Sequence, residues 1–591
     1  MTPNPHHAQA ALLRRVHRRA GIVLAAIALS LVAMTGQIIN INTTQSPRLT
    51  GLARSQQIAT RVIPAHRGFI FDRTGRVVAA TRTTPSVFAD PGLIDGLENT
   101  AALLSPIIDL PTAEIARTLA RRPGLRFCWL KRNIADADAD AVRNLKLPGI
   151  GIRFESRREF PLNNLMANTI GIVGREGAGL EGVEKAFDGH LRGQDGVHTS
   201  VYDGRKQRQP IWMDKDGSRP ERDGGHVVLT LDAVIQGYLD EQLELTAEHF
   251  AAQAVVGVVM SPKTGAVFAM GQYPAFDPNR YADFPADQRR NRAVCDAVEP
   301  GSIFKPFVAA GALLNRVVDP REEIFCHEGL HWFDRRRMRD TSPHGNLDIR
   351  GIIAKSSNIG MGILGHRMGN AAIHDIVTAF GFGSPAGVRF PGDSPGIVHP
   401  LAQWTSYSTT SVPIGQEITV TPLQMATAFC AIVNGGVLLR PYVVEKLLAP
   451  DGAVKESFAG PNLVRRVLPQ PLADYMRLEL LPAVVEDGGG FRAALADWRV
   501  GGKTGTAEVP YKNHRGYEPG AYIGSFIAAA PIEDPEIVVL VMTHRPDATK
   551  GYYGGVVSAP AVRNIMEKTL AYLHVPPSPR RLNVEIAKHH P

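Results

Sequence analysis

The sequence predicts a multidomain α+β protein behind one membrane-crossing helix. Three observations carry this. The chain is 591 residues long, more than one hydrophobic core usually organises. One uncharged apolar run, Ala20 to about Ile39, is long enough to cross a bilayer. Beyond it, strand-like and helix-like patterns alternate irregularly. A hydrophobic fraction of 44% and a charged fraction of 21%, with no acidic, Gln-rich or Gly/Ser-rich tract, describe a chain that packs. The net charge of +8 suits work beside an anionic partner, whether nucleic acid, phospholipid or cell-wall polymer. Arg and Lys are spread along the chain rather than gathered in one stripe with aromatics, which weighs against a nucleic-acid groove.

Taken in order, residues 1–19 are read as a cytoplasmic tail, because Arg14, Arg15, Arg18 and Arg19 precede the apolar run and hold that end inside. Residues 20–40 form the anchor. Its length and the lack of an Ala-x-Ala site favour an uncleaved helix over a signal peptide, and either choice exports the rest. Residues 41–225 form a folded spacer with short strand-like runs at Gly68 to Asp72 and Arg76 to Ala79. The polar stretch Asp203 to Gly225 predicts an exposed loop and a boundary. Residues 226–575 then begin with a strand at His226 to Leu231, an amphipathic helix at Asp232 to Phe250 and a buried strand at Ala254 to Met260. Ala521 to Ala530 and Glu536 to Met542 predict a hairpin, and Ala559 to Leu573 a last helix. The Pro-Pro-Ser-Pro-Arg-Arg tail, 576–591, has too little apolar surface to fold.

The densest chemical signal is Glu299-Pro-Gly-Ser302-Ile-Phe-Lys305. Ser302 and Lys305 stand three apart and share a face if Gly301 opens a helix. A serine hydroxyl is a poor nucleophile unless a base takes its proton, and a lysine held neutral by burial or nearby charge can do so. A lone Ser-x-x-Lys is as readily a capped helix with a solvated lysine. Lys355-Ser356-Ser357-Asn358 adds a hydroxyl able to relay a proton and an amide able to hold a peptide, though Ser and Asn also cap helices. Gly501-Gly-Lys503-Thr504-Gly505-Thr506 adds a cation, a glycine that permits close backbone approach and hydroxyls suited to a carboxylate. A second Lys-Thr-Gly, Lys263-Thr264-Gly265, precedes the serine and is read as a turn. The four cysteines, Cys128, Cys295, Cys326 and Cys430, lie far apart and read as free thiols. Cys326, His327 and His331 lack a fourth ligand at zinc spacing, so no metal is expected.

Ser-x-x-Lys, Ser-x-Asn and Lys-Thr-Gly in this order resemble the signature of penicillin-recognising enzymes. The resemblance covers nearly the whole chain after the anchor. Arg67-Gly-Phe-Ile-Phe-Asp-Arg-Thr-Gly75 and Gly179-Leu-Glu-Gly-Val-Glu-Lys-Ala-Phe-Asp188 are similar to motifs of the non-catalytic module of class B penicillin-binding proteins. Leu229-Thr-Leu-Asp232 with Gln236, Gly415 to Gln424 and Tyr553 to Pro560 are similar to their transpeptidase domain. Glu299-Pro300-Gly301, Asn358 and Thr504 resemble the division-specific, FtsI-like type.

The resemblance implies an elongated, mainly-β or α+β pedestal. It also implies a serine DD-peptidase domain related to β-lactamases, an antiparallel sheet flanked by helices. It implies a D,D-transpeptidase that cross-links peptidoglycan stem peptides and is trapped by β-lactams. Ser302 would be the nucleophile, Lys305 its base, Ser356 and Lys503 the proton relay, Asn358 a substrate-holding amide, and Thr504, Gly505 and Thr506 the substrate-binding strand. No cofactor is implied. A glycan polymerase of the FtsW kind and other division proteins are the implied partners, and the septal inner membrane the implied location. A hydrolase that passes the acyl group to water and a non-catalytic division scaffold are the rival readings.

Overall fold

The structure is a computed structural model that describes residues 5–46, 48, 49, 58–120, 126–202, 210–213, 218–511, 513, 514 and 516–579. By its contacts the chain divides into two units, Met1–Ala65 with Gln194–Arg222, and His66–Gly193 with Asp223–Pro591. In the first, one helix, Pro5–Asn40, carries the apolar run. Among the described residues this is the one helix long and apolar enough to cross a membrane. Ile22, Leu24, Leu29 and Val32 are exposed along it, as a lipid-facing helix requires. Ile58–Ile63 pairs antiparallel with Gly196–Tyr202, and Pro210–Met213 completes a three-stranded sheet. The expected loop from Asp203 to Gly225 therefore contains a strand, while its residues 203–209 and 214–217 lie outside the described residues.

In the second unit the spacer motifs form strands Ile70–Phe71 and Val77–Ala89. The latter runs well past the expected Ala79, because Ile150–Glu159 pairs with it from Ala80 to Ala89 and Cys128–Lys131 pairs with its far end, Val87 to Ala89. The turn between the two is closed by Asp72, whose Oδ1 accepts from the backbone N–H of Thr74 and of Arg76. His226–Leu229 lies parallel to Ile70–Phe71 and antiparallel to Val444–Leu448. Residues on both sides of position 225 thus share one seven-stranded sheet. Beside it, Arg67 meets Glu184 at 2.6 Å and Asp188 at 2.6 Å, and Arg158 meets Glu184 at 2.7 Å. Glu184 is fully buried, and burial pulls the Arg158 guanidinium below its ordinary range.

The segment after this sheet builds the layer that carries the site. Its main helices are α1 (Ala233–Phe250), α2 (Lys305–Leu314), α3 (Ile349–Lys355), α4 (Asn358–Ala379), α5 (Pro422–Val433) and α6 (Ala559–Tyr572). Its five-stranded sheet is built of β1 (Ala254–Met260), β2 (Val267–Tyr273), β3 (Gly501–Pro510), β4 (Tyr517–Ala530) and β5 (Ile537–His544). They run in the order β2-β1-β5-β4-β3, every neighbouring pair antiparallel. All seven residues of β1 are buried, because both faces of the sheet are covered. Val255 and Val259 pack with Leu239 of α1 and Ile565 of α6, whereas Val256 and Val258 pack with Phe307 of α2 and Phe429 of α5. The period-two alternation of a strand sends successive valines into the two cores.

The expected helix after Asp232 forms with that carboxylate as its cap, accepting from Val234 N at 2.9 Å. The early Lys263-Thr264-Gly265 is a turn between β1 and β2, with Lys263 paired to Asp534 and Glu536. The tail departs from expectation at its start. Trp498 Nε1 donates to Pro576 O at 3.0 Å and Ser578 N donates to Asp497 O at 2.8 Å, so residues 576 to 578 are bonded to the body. Residues 580–591 lie outside the described residues.

Replacing Glu184 by Gln takes the counter-charge from the buried Arg158 guanidinium and leaves Arg67 with Asp188 alone, and removing one partner of a buried ion pair costs about 3 kcal/mol or more. Glu184→Gln is expected to lower the midpoint of thermal unfolding by several degrees; an unchanged midpoint in calorimetry would contradict this.

Candidate active site

Ser302 lies in a short 3-10 turn, Gly301–Phe304, that runs directly into α2. The turn keeps Ser302 and Lys305 on one face, as the spacing predicts. Two glycines let it sit against the edge strand. A Cβ on Gly301, whose φ is +58°, would lie 2.8 Å from Thr506 O, and a Cβ on Gly505 would lie 2.7 Å from Ile303 Cγ2. Only bare backbone allows that approach, so both residues flanking Ser302 abut β3 at Gly505 and Thr506. Gly301 N also donates to Gly415 O at 3.1 Å. Glu299 fixes the segment ahead of the serine, accepting from Glu417 N at 3.0 Å and from the Tyr517 hydroxyl at 3.0 Å.

Ser356, Ser357 and Asn358 occupy the break between α3 and α4. Ser356 ends α3 in the left-handed region, φ +58°, a conformation that non-glycine residues adopt only under local constraint. The cap that the sequence offered to Ser or Asn falls to Ser357, whose Oγ accepts from Gly360 N at 2.9 Å. Ser356 and Asn358 are thereby free to face the lysines. Lys305 Nζ donates to Ser356 Oγ at 3.1 Å and to Asn358 Oδ1 at 2.8 Å, and it also donates to Ser356 O. Lys503 Nζ donates to the same Ser356 Oγ at 2.9 Å and to Thr504 O at 3.0 Å. One hydroxyl thus bridges two amines carried by distant segments.

Both lysines are fully buried. Burial pushes the Lys305 ammonium down to about 7, against an opposing pull from the Asp340 carboxylate. Lys503 falls well below its ordinary value, by burial and by the charge of Lys305. The three donor positions of Lys305 are all directed to Ser356 and Asn358 here, so its bond to the Ser302 hydroxyl is not formed in this state. Lys503 lies on β3, the edge strand, whose free side offers backbone N–H and C=O groups alongside the half-buried Thr504 and Thr506. The cleft therefore holds a hydroxyl at a helix start, two depressed amines with a hydroxyl between them, an amide and an open strand edge. That set can move a proton to and from a serine and align an extended peptide.

One residue of this set escaped the sequence reading. Asp340 accepts from the Ser357 hydroxyl at 2.6 Å and from the backbone N–H of Asn358 and, at 3.0 Å, of Ile359. It holds the first turn of α4 from outside and is the carboxylate that faces Lys305. It stands 18 residues before Asn358, in no motif and at no helical or strand spacing, so no sequence signal marks it. His327 and His331 stack with ring centroids 3.9 Å apart, and among the described residues no group of three or more His, Cys, Asp and Glu side chains is placed to hold a metal. Asp340→Ala leaves two backbone donors and a hydroxyl at α4 unpaired. It is expected to cost about 1–3 kcal/mol, read as a lowered denaturant midpoint, with Asp340→Asn intermediate. Equal midpoints for all three proteins would show that Asp340 does not hold α4.

Comparison with known proteins agrees with this architecture. Residues 255–567 match the family described as penicillin binding protein transpeptidase domain, and residues 62–229 match the penicillin-binding protein dimerisation domain. The chain is 32% identical to the PenA protein of Neisseria meningitidis over 95% of this chain and 94% of that one. It is 28% identical to the peptidoglycan D,D-transpeptidase FtsI of Escherichia coli over 95% and 92%. Its fold superposes on the crystal structure of penicillin-binding protein 3 from Mycobacterium tuberculosis in complex with aztreonam with a TM-score of 0.68, at 27% identity over 88% and 98% of the two chains. With a dimerisation domain and a transpeptidase domain in one chain, and, among the described residues, one long apolar helix ahead of both, the protein belongs to the class B penicillin-binding proteins.

Proposed function

We propose that the protein is a membrane-anchored peptidoglycan D,D-transpeptidase that works through a Ser302 acyl-enzyme. The observation that carries the reading is the Ser356 hydroxyl, 3.1 Å from Lys305 Nζ and 2.9 Å from Lys503 Nζ, both amines fully buried. A solvated lysine would be protonated and useless as a base, and burial removes that objection. Lys305 takes the Ser302 proton as Oγ attacks the carbonyl between the two terminal D-alanines of a stem peptide. The oxyanion is held by the backbone N–H groups of Ser302 and Thr506. The tetrahedral centre collapses as the last D-alanine leaves with a proton relayed through Ser356, whose charge balance Lys503 sets. Thr504 and Thr506 receive the terminal carboxylate, Gly505 keeps the strand close to the serine, and Asn358 holds the donor peptide. The amine of a second stem peptide then attacks the ester, gives up its proton to the same relay and frees Ser302. A β-lactam offers a strained amide beside a carboxylate, and its acyl-enzyme cannot expel the leaving group, so it stays.

The finer setting follows from the same reading. Arg14, Arg15, Arg18 and Arg19 before the apolar helix place the short tail in the cytoplasm and the catalytic domain outside. Glu299-Pro-Gly, Asn358 and Thr504 favour a septal role, with a membrane glycan polymerase of the FtsW kind and other division proteins as partners.

Ser302→Ala is expected to abolish covalent labelling by fluorescent penicillin, and mass spectrometry of the parent to place the adduct on Ser302; labelling of the variant at the parental rate would overturn the assignment. The pH dependence has a definite sign. The active base is the neutral amine, so acylation should be half-maximal near pH about 7, fall about tenfold per unit below that and level off above. A rate constant flat across that range would remove Lys305 from the role of base. A fluorescent fusion should gather at the division plane; uniform lateral signal would refute the septal assignment.

A further inference from the structure

Between α2 and α3 a two-stranded hairpin, Leu330–Phe333 with Arg336–Arg339, stands directly beside the cleft. Its register pairs Leu330 with Arg339, His331 with Met338, Trp332 with Arg337 and Phe333 with Arg336. Opposed residues of an antiparallel pair share a face, so the hairpin has two different sides. One faces the body, where Met338 is buried, Arg336 donates to Thr410 at 3.0 Å and to Gln416 at 3.0 Å, and Phe333 meets His366. The other carries Leu330, Trp332, Arg337 and Arg339, all exposed, with Arg335 exposed at the turn. Trp332 keeps 57% of its surface open to solvent.

No hydrogen bond or ion pair engages the side chains of Arg335, Arg337 or Arg339 among the described residues, whereas Arg67, Arg132, Arg158, Arg292, Arg477 and Arg499 are each paired with carboxylates. An exposed indole beside unengaged guanidiniums is a surface suited to an anionic partner that also presents flat apolar faces. Its place gives it meaning. Arg339 O accepts from Asn358 Nδ2 at 2.8 Å, and the next residue, Asp340, caps α4, so the hairpin ends inside the site. Asp340 is engaged by Ser357, Asn358 and Ile359, and among the described residues no ion pair joins Asp334, exposed at the turn, to these arginines.

We propose that the outer face of this hairpin is a docking platform for the peptidoglycan strand whose stem peptide enters the neighbouring cleft, a reading that rests on the transpeptidase function above. Stem peptides carry free carboxylates, which guanidinium forks bind in bidentate fashion, and the glycan presents sugar rings whose C–H faces lie flat on an indole. A β-lactam, which fills only the cleft, makes neither contact. The platform therefore governs polymer use and leaves acylation by a small reagent alone.

The test uses the full-length protein in detergent, with Arg335→Glu/Arg337→Glu, Trp332→Ala and the charge-keeping Arg335→Lys/Arg337→Lys. Fluorescent penicillin should acylate all of them at the parental rate, which also reports that they fold. Cross-linking of polymeric peptidoglycan strands should fall on the order of tenfold in the Glu variant, less in the Lys variant, with the difference shrinking as salt is raised. Trp332→Ala should raise KM for strands with kcat kept. Strand cross-linking at the parental level in both the Glu and Trp variants would overturn the platform while leaving the acyl-enzyme intact. Binding of anionic phospholipid vesicles that is lost in the Glu variant, with strand use unchanged, would overturn it in favour of a lipid surface. A parent that neither labels at Ser302 nor cross-links strands would overturn the transpeptidase reading and the platform with it.

Discussion

Two lysine amines buried within reach of one serine hydroxyl set the terms for the rest of this structure. An ammonium ion taken out of water costs far more than a neutral amine, and two of them side by side in a dry site repel one another. Lys305 and Lys503 are both fully buried and both donate to Ser356 Oγ, so the fold is committed to at least one amine without its proton near neutrality. The charge of Lys305 adds to burial in depressing Lys503, so the second amine is held without its proton more firmly than the first. The carboxylate that opposes this tendency, Asp340, engages the start of α4 and moderates the depression of Lys305 without forming an ion pair with it.

Holding that arrangement explains features that look incidental along the chain. The strand bearing Lys503 has to be an edge strand, since a further strand on its free side would occupy the place taken by the Ser302 turn. Gly301 and Gly505 have to be bare, because any side chain at either would push the turn off the strand. The helix carrying Ser356 has to break, because continuous helix would point Ser356 and Asn358 in directions set by the helical period. The left-handed residue at the break places Ser356 and Asn358 on Lys305 together. Rigid burial of β1, β4 and β5 between two helical layers supplies the support against which these constraints are held.

The same economy runs through the second sheet. Ile70–Phe71 borrows Val227 and Val228 as partners, so the Arg67-to-Gly75 motif works as part of a joint with the strand that opens the following segment. Asp72 reinforces the joint by accepting from Ala233 N at 3.2 Å, beside the Asp232 cap of α1. Two acidic side chains thus serve the donors at one helix start, one from each side of position 225.

What could be read from the sequence were the local patterns and the ordered motifs. The apolar helix, the buried valines of β1, the hairpin of β4 and β5, the Asp232-capped helix and the last helix all follow from periodicity and caps, because each depends on residues a few positions apart. Ser302, Lys305, Ser356, Asn358, Lys503, Thr504, Gly505 and Thr506 could be nominated because their order and spacing are visible in one dimension. Tertiary structure alone decided that Ser356 is the bridge, that Ser357 takes the cap, that Asp340 and Glu299 hold the surrounding segments, and that the sheet crosses position 225. Each of these is a contact between segments far apart in the chain, and in linear order such contacts leave no period to detect. They exist only once burial has brought the segments together and removed the water that would otherwise satisfy their polar groups.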